Sequence, residues 1–207
     1  MRRLLCGFLC VLLLGLAVPA LADMSPTDTL KVTVDEVLMT LKQPEYSNPT
    51  TRPPLRAKIE ADILKVFDAL EFSKRTLTKH WKLFTPDQQK RFADAFANLL
   101  MTTYLDKVSG YNGEQVNYLG ERHIQKGKLA EVQSTVTLSA GPATSVAYRM
   151  RLTDNGWRIY DVLIENVGLT SNYRSQFEEI LSKSTPDDLI LQVEQRCQEL
   201  RQQNQGV

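Results

Sequence analysis

The chain has 207 residues, enough for one domain with a substantial core. Its 25 basic and 24 acidic residues nearly cancel, which gives no electrostatic footprint for nucleic acid or an anionic membrane surface. Only three cysteines and two histidines are present, so a disulfide framework and a multi-residue Cys/His metal site are both excluded as organising principles.

The amino terminus is patterned for export. Arg2 and Arg3 precede an apolar run from Leu4 to Val18, and Pro19 precedes Ala20-Leu21-Ala22, an A-x-A cleavage site. The run is too short for a comfortable membrane span. Neither Cys6 nor Cys10 follows the small residue that a lipoprotein cysteine requires. The expected organisation is a signal peptide over residues 1–22, cleaved after Ala22, and one soluble domain over residues 23–207. Losing Arg2 and Arg3 leaves 23 basic residues against 24 acidic ones, and Cys197 becomes the only thiol. Cys197 falls on the stripe Leu189, Val193, Cys197, Leu200 and reads as a buried, inert packing residue.

The first helix is expected from about Thr27 to Lys42, with Leu30, Val34, Val37, Leu38 and Leu41 on one face. Residues 43–54 carry four prolines and read as a surface connection. A second helix is expected to carry Leu55, Ile59, Ile63, Val66, Phe67 and Leu70, followed by a short piece over 73–84 that holds His80 and Trp81. Thr85-Pro86-Asp87-Gln88 combines an N-cap, a first-turn proline and a capping-box glutamine. The helix it opens shows Phe92, Phe96, Leu99, Leu100 and Thr103 in a stripe that continues to Tyr104. Thr185-Pro186-Asp187-Asp188 repeats the start signal for the last helix.

Between these helices the period changes to two, with strands expected over 115–125, 128–139, 143–153 and 157–167. Asp154-Asn155-Gly156 is the strongest hairpin signal. Short turns throughout make the sheet an antiparallel meander. Val146, Tyr148, Met150 and Leu152 alternate with Arg149 and Arg151, so one sheet face is polar and helices must cover the other. The fold class is α+β: a curved antiparallel four-stranded meander sheet wrapped by helices.

Catalytic signals are poor. His80 and His123 stand in no H-E-x-x-H pattern, and no G-x-S-x-G elbow occurs. Gly120–Lys128 imitates a phosphate loop, but six residues separate its glycines, Leu129 replaces the Ser/Thr, and a strand follows where a helix is required. The sequence offers no catalytic residue, metal ligand set or cofactor motif; an enzyme using His80 or His123 and a solid-cored envelope adaptor remain competing readings.

Several features resemble the MlaC family, periplasmic phospholipid-binding proteins also called toluene-tolerance or Ttg auxiliary components. They are Phe67-Asp68, Trp81, Thr85-Pro86, Phe92, Phe96, Leu99-Leu100, Tyr104, Gly156-Trp157, Tyr160-Asp161-Val162 and Asn172-Tyr173-Arg174-Ser175-Gln176-Phe177. The resemblance spans about 28–195 and departs at Thr78, where the family tends towards glycine. It implies a non-enzymatic shuttle that needs no cofactor. Such a shuttle carries phospholipid between the outer membrane and an inner-membrane ABC transporter and so maintains outer-membrane lipid asymmetry. The implied partners are an outer-membrane lipoprotein complex (MlaA-like) and a transporter complex with an MlaD-like subunit. A related cargo such as a hopanoid-type lipid fits the same pattern. The fold implied encloses a deep apolar pocket for acyl chains. Its expected lining, from faces pointing between sheet and helices, is Phe67, Leu70, Phe96, Leu99, Leu100, Tyr104, Val146, Tyr148, Met150, Val162, Ile164, Tyr173 and Phe177.

Two residues sit oddly. Asp161 lies inside an apolar strand, and Arg174 lies in what reads as the first turn of a helix, the wrong end for a cation. A buried aspartate needs a cation or several hydrogen bonds to stay charged. An Asp161–Arg174 ion pair bracing the last helices against the final strand satisfies both.

Overall fold

A computed structural model describes residues 24–105, 113–137 and 141–205. The expected signal peptide over residues 1–22 lies outside them. Helices α1 (Pro26–Leu41), α2 (Arg52–Val66), α3 (Ala69–Leu77) and α4 (Pro86–Leu105) precede the sheet, and α5 (Leu169–Leu181) and α6 (Pro186–Gln205) follow it. The sheet comprises β1 (Gln115–Ile124), β2 (Leu129–Thr137), β3 (Thr144–Thr153), β4 (Gly156–Ile164) and β5 (Val167–Gly168), antiparallel and in sequential order. The α+β class and the meander stand; among the described residues the strand count is five, not four.

The fifth strand was hidden by its turn. Glu165 and Asn166, with φ of 49° and 63°, form a two-residue reversal that pairs Ile164 with Val167. Both central residues adopt positive φ, as a type I′ turn demands, but without the glycine that usually advertises it. The expected strand 157–167 is therefore β4, a reversal and the start of β5.

A second difference concerns the helix expected to carry both Val66 and Leu70. It breaks at Phe67, whose extended backbone (φ −88°, ψ 125°) forms a parallel bridge to Ile159. Asp68 then accepts the Glu71 N–H at 3.0 Å and caps α3, while Arg151 Nε donates to its other oxygen at 2.6 Å. The cap and the bridge together outweigh helical continuation across two residues.

The start signals of α4 and α6 work as the sequence implies. Thr85 N–H donates to Gln88 Oε1 at 3.0 Å and Gln88 N–H to Thr85 Oγ1 at 3.3 Å, and Thr185 exchanges the equivalent pair with Asp188. Gln88 also donates to Asp187 Oδ2 at 2.9 Å, joining the two helix starts. Cys197 is buried on the α6 stripe, with its Sγ 3.5 Å from Thr102 Oγ1.

Three apolar clusters hold the elements together. The largest joins α3, α4, α5 and α6 through Phe72, Phe92, Phe96, Phe177, Leu189 and Ile190. A second joins the sheet to α1 and α2 through Leu30, Val66, Val132, Met150, Trp157 and Ile159. A third packs Tyr46 and Leu105 on α1 and α2. Among the described residues no helix is long and apolar enough to cross a membrane.

Candidate functional site

The sheet has an apolar face and a charged face, and a β-bulge keeps both in order along β4. The β3–β4 register runs Tyr148↔Val162 and Arg149↔Asp161, then Met150↔Ile159, so Tyr160 is the extra residue. One inserted residue reverses the side-chain alternation. Trp157 and Ile159 before the bulge and Val162 and Ile164 after it therefore face the same interior, despite their opposite parity. That is why residues 159–167 look apolar on both faces in sequence.

The expected pocket residues converge on this interior with one exception. Phe96, Leu99, Leu100 and Phe177 are buried in the largest cluster, and Phe67, Tyr104, Val162, Ile164 and Tyr173 pack against it. Met150 is fully buried in the second cluster, with Tyr148 beside it. Phe67 and Val162 touch both clusters and form the seam between them. Val146 is half-buried, opposite Ile164 on the same face. Leu70 is 52% exposed, because the break at Phe67 rotates it away from the stripe that ends at Val66.

Phe96, Tyr173 and Phe177 form a mutual aromatic contact with centroid separations of 4.9–5.6 Å. Tyr173 and Tyr104 share a hydrogen bond through their hydroxyls, and burial raises both phenols above the ordinary tyrosine range. On the sheet side, burial likewise raises Tyr148, whose hydroxyl is hydrogen-bonded to Ser134, and Tyr118, whose hydroxyl is buried without a partner. The interior is thus apolar with a few neutral hydroxyls, an environment that disfavours a charged group.

The opposite face carries a row of alternating charge that sequence reasoning missed. Arg122, Glu131, Arg149 and Asp161 stand opposite one another on β1, β2, β3 and β4. Arg122 Nη2 lies 3.5 Å from Glu131 Oε1, Arg149 Nε 3.2 Å from Glu131 Oε2, and Arg149 Nη1 3.5 Å from Asp161 Oδ2. Burial pushes the Glu131 carboxyl up, but Arg149 and then Arg122 outweigh it and hold the group below the ordinary glutamate range. The signal was the placement of Arg122, Glu131 and Arg149 on strands joined by short turns.

Asp161 is 3% exposed, and its cation is Arg149, not Arg174. The bulge sets Asp161 directly opposite Arg149, whereas Arg174 lies in the second turn of α5, past the positive end of the helix. Arg174 instead reaches α3, donating from Nη2 to the Arg75 carbonyl at 2.9 Å. That carbonyl belongs to the last turn of α3, where acceptors lack intrahelical partners. Arg75 in turn bonds Glu71 at 2.8 Å and lies 3.9 Å over the ring of Tyr160, the bulge residue.

Two charged clefts adjoin these elements. One of about 430 Å³ lies between α4 and α6, beside Lys90, Arg91, Asp94 and Glu194. The other, about 620 Å³, lies between the charged sheet face, α3 and α5. Neither is the apolar pocket expected from the sequence. His123 packs edge-on to Trp157 at 5.7 Å with Nε2 2.9 Å from Glu121. Among the described residues no group of three or more His, Cys, Asp or Glu could hold a metal ion.

The family model described as MlaC protein matches residues 31–195. A toluene tolerance protein of Pseudomonas putida, ttg2D, is 25% identical over 180 residues, covering 86% of this chain and 83% of that protein. The intermembrane phospholipid transport system binding protein MlaC of Haemophilus influenzae is 18% identical over 179 residues, covering 85% and 84%. Among solved structures, a phospholipid-binding protein of Ralstonia solanacearum in complex with a phospholipid superposes with a TM-score of 0.76 at 27% identity. That match covers 86% of this chain and 99% of the other.

Proposed function

The chain belongs to the MlaC family, and from that premise we propose that it is a soluble periplasmic carrier of phospholipid. Residues 1–22 are its signal peptide, cleaved after Ala22, and residues 23–207 form one lipid-binding domain. The acyl chains enter the interior between the apolar sheet face and the helices, along the seam of Phe67 and Val162. Phe96, Leu99, Leu100, Tyr104, Tyr148, Met150, Tyr173 and Phe177 line the two sides, with Val146 and Ile164 at the β5 end. The observation that carries this reading is the likeness, over 86% of the chain, to a fold solved with a phospholipid bound.

The energetics explain why a carrier is built this way. Two acyl chains hold roughly 30 methylenes, and exposing them to water costs on the order of 20 kcal/mol or more at ~0.8 kcal/mol per CH₂. The protein must bury the chains and can leave a charged headgroup in water. Release then needs an accepting bilayer or a partner surface. We place those partners at an MlaA-like outer-membrane complex and the MlaD-like subunit of an inner-membrane ABC transporter, an exchange that maintains outer-membrane lipid asymmetry. The protein acts by binding and not by catalysis.

Native mass spectrometry of the protein purified from its own periplasm, followed by organic extraction, tests the reading. Phospholipid near one molecule per chain is the expected result. A reproducibly empty protein overturns it, and extraction of a non-phospholipid cargo such as a hopanoid replaces the ligand while keeping the carrier. Replacing His80 and His123 together leaves lipid transfer between vesicles unchanged; a loss of transfer argues for chemistry at those side chains.

A further inference from the structure

The larger charged cleft lies on the charged face of the sheet, opposite the apolar interior. It is bordered by five cations, Lys74, Arg75, Arg122, Arg149 and Arg174, and by three carboxylates, Glu71, Glu131 and Asp161. Each carboxylate is already engaged. Glu71 holds Arg75 at 2.8 Å, Glu131 lies between Arg122 and Arg149, and Asp161 accepts two backbone N–H bonds beside Arg149. Two cations are left over. Lys74 and Arg174 make no ion pair among the described residues, and Arg174 Nε is buried with no hydrogen-bond partner.

This local surplus sits in a chain whose overall charge nearly cancels. A concave site with low-dielectric walls focuses such a field and concentrates counter-charge inside it. Guanidinium groups match the geometry of tetrahedral oxyanions and bind them through parallel N–H bonds, with a lysine adding a point charge.

We propose that this cleft is a binding site for a phosphate-class oxyanion, held chiefly by Lys74 and Arg174, with the exposed Arg122 guanidinium contributing from beside Glu131. The recognised chemistry is the phosphate group itself, whether free in solution or borne on a lipid headgroup. The site lies on the face of the sheet remote from the acyl chains and stands whether or not those chains are carried.

The test titrates the full-length mature protein with inorganic phosphate, following backbone amide shifts by NMR. Saturable shifts at Lys74, Thr170 and Arg174 that weaken with added salt are expected. The double variant Lys74→Gln, Arg122→Gln, which removes two exposed side chains, raises the dissociation constant at least five-fold. Lys90→Gln, in the other cleft, leaves it unchanged. A parallel arm measures flotation with phosphatidylglycerol against phosphatidylcholine vesicles. Binding to phosphatidylglycerol that the double variant abolishes supports the site with a lipid headgroup as its source. Saturable binding of free phosphate alone makes the source soluble. Absence of both, or binding that the double variant does not weaken, overturns the proposal.

Discussion

The Thr170 N–H donates to Asp161 Oδ1 at 3.1 Å across nine residues of chain. The N-cap residue of α5 is Gly168, which has no side chain to offer, so the Asp161 carboxylate on β4 supplies the cap. Asp161 also accepts its neighbour's N–H, from Val162, at 3.0 Å. Its negative charge sits at the positive end of the helix dipole, where it is stabilising. Asp161→Ala removes the cap and leaves Arg149 with one carboxylate, and should cost about 2–4 kcal/mol in urea unfolding. Asp161→Asn keeps one acceptor oxygen and should cost less. A stability equal to wild type for the alanine variant refutes the cap.

The same relationship explains Gly168. A Cβ there would stand 3.1 Å from Asp161 Oδ2 and 3.2 Å from Ser171 Oγ, while the backbone φ of −69° suits any residue. The constraint is space, not conformation. Gly168→Ala should destabilise by about 1–2 kcal/mol in the wild-type background. In the Asp161→Ala background that cost should shrink by half or more. Additive costs in the double-mutant cycle would show that the two positions do not share this contact.

Acid should weaken the charged row. The folded Glu131 carboxyl is held below its ordinary range by Arg149 and Arg122 against the opposing effect of burial. A depressed folded value contributes stability that is fully present above the unfolded glutamate pKa of about 4.3 and is lost as pH falls through the folded value. Urea unfolding at pH 7 and pH 4 should therefore show a smaller pH dependence in Glu131→Gln than in wild type. An identical pH dependence would assign the acid sensitivity to other carboxylates.

How far the sequence reached follows from where its signals are local. The starts of α4 and α6 are written in four consecutive residues each, and the structure forms both capping pairs. The alternation of Val146, Tyr148 and Met150 with Arg149 and Arg151 correctly divides the sheet faces. The bulge at Tyr160 and the Glu165-Asn166 reversal carry no glycine or proline, so nothing local announced them. The partner of Asp161 then followed the wrong logic. Proximity in sequence favoured Arg174, whereas register, set by that bulge, chose Arg149. Leu70 was misplaced because a helical stripe cannot reveal that Phe67 leaves the helix to pair with Ile159.

Val162 tests the interior as a ligand site. It is half-buried and touches both large clusters, so a larger side chain there occupies the seam between sheet and helices. Val162→Trp should lower phospholipid per chain below half of wild type in native mass spectrometry. Its melting temperature should stay within a few degrees of the lipid-free wild type. A loss of stability of several kcal/mol would identify the seam as filled core, since overpacking a filled site costs about 1–3 kcal/mol or more.

Thr78 offers a prediction of opposite sign. Its backbone lies at φ 47°, ψ −116°, at the C-cap of α3. A β-branched residue at positive φ is strained, at a cost of order 1–3 kcal/mol, because its Cβ crowds the backbone where glycine has none. The side chain is exposed, so little packing is lost on removing it. Glycine's greater freedom in the unfolded chain opposes the gain by roughly 0.4–1 kcal/mol. Strain relief should still prevail. Thr78→Gly is expected to stabilise by about 1 kcal/mol and raise the melting temperature by about 2–4 °C. Thr78→Ala removes the branch but keeps the Cβ and should gain less than half as much. An unchanged or lower melting temperature for the glycine variant would mean that the turn after α3 relaxes without strain.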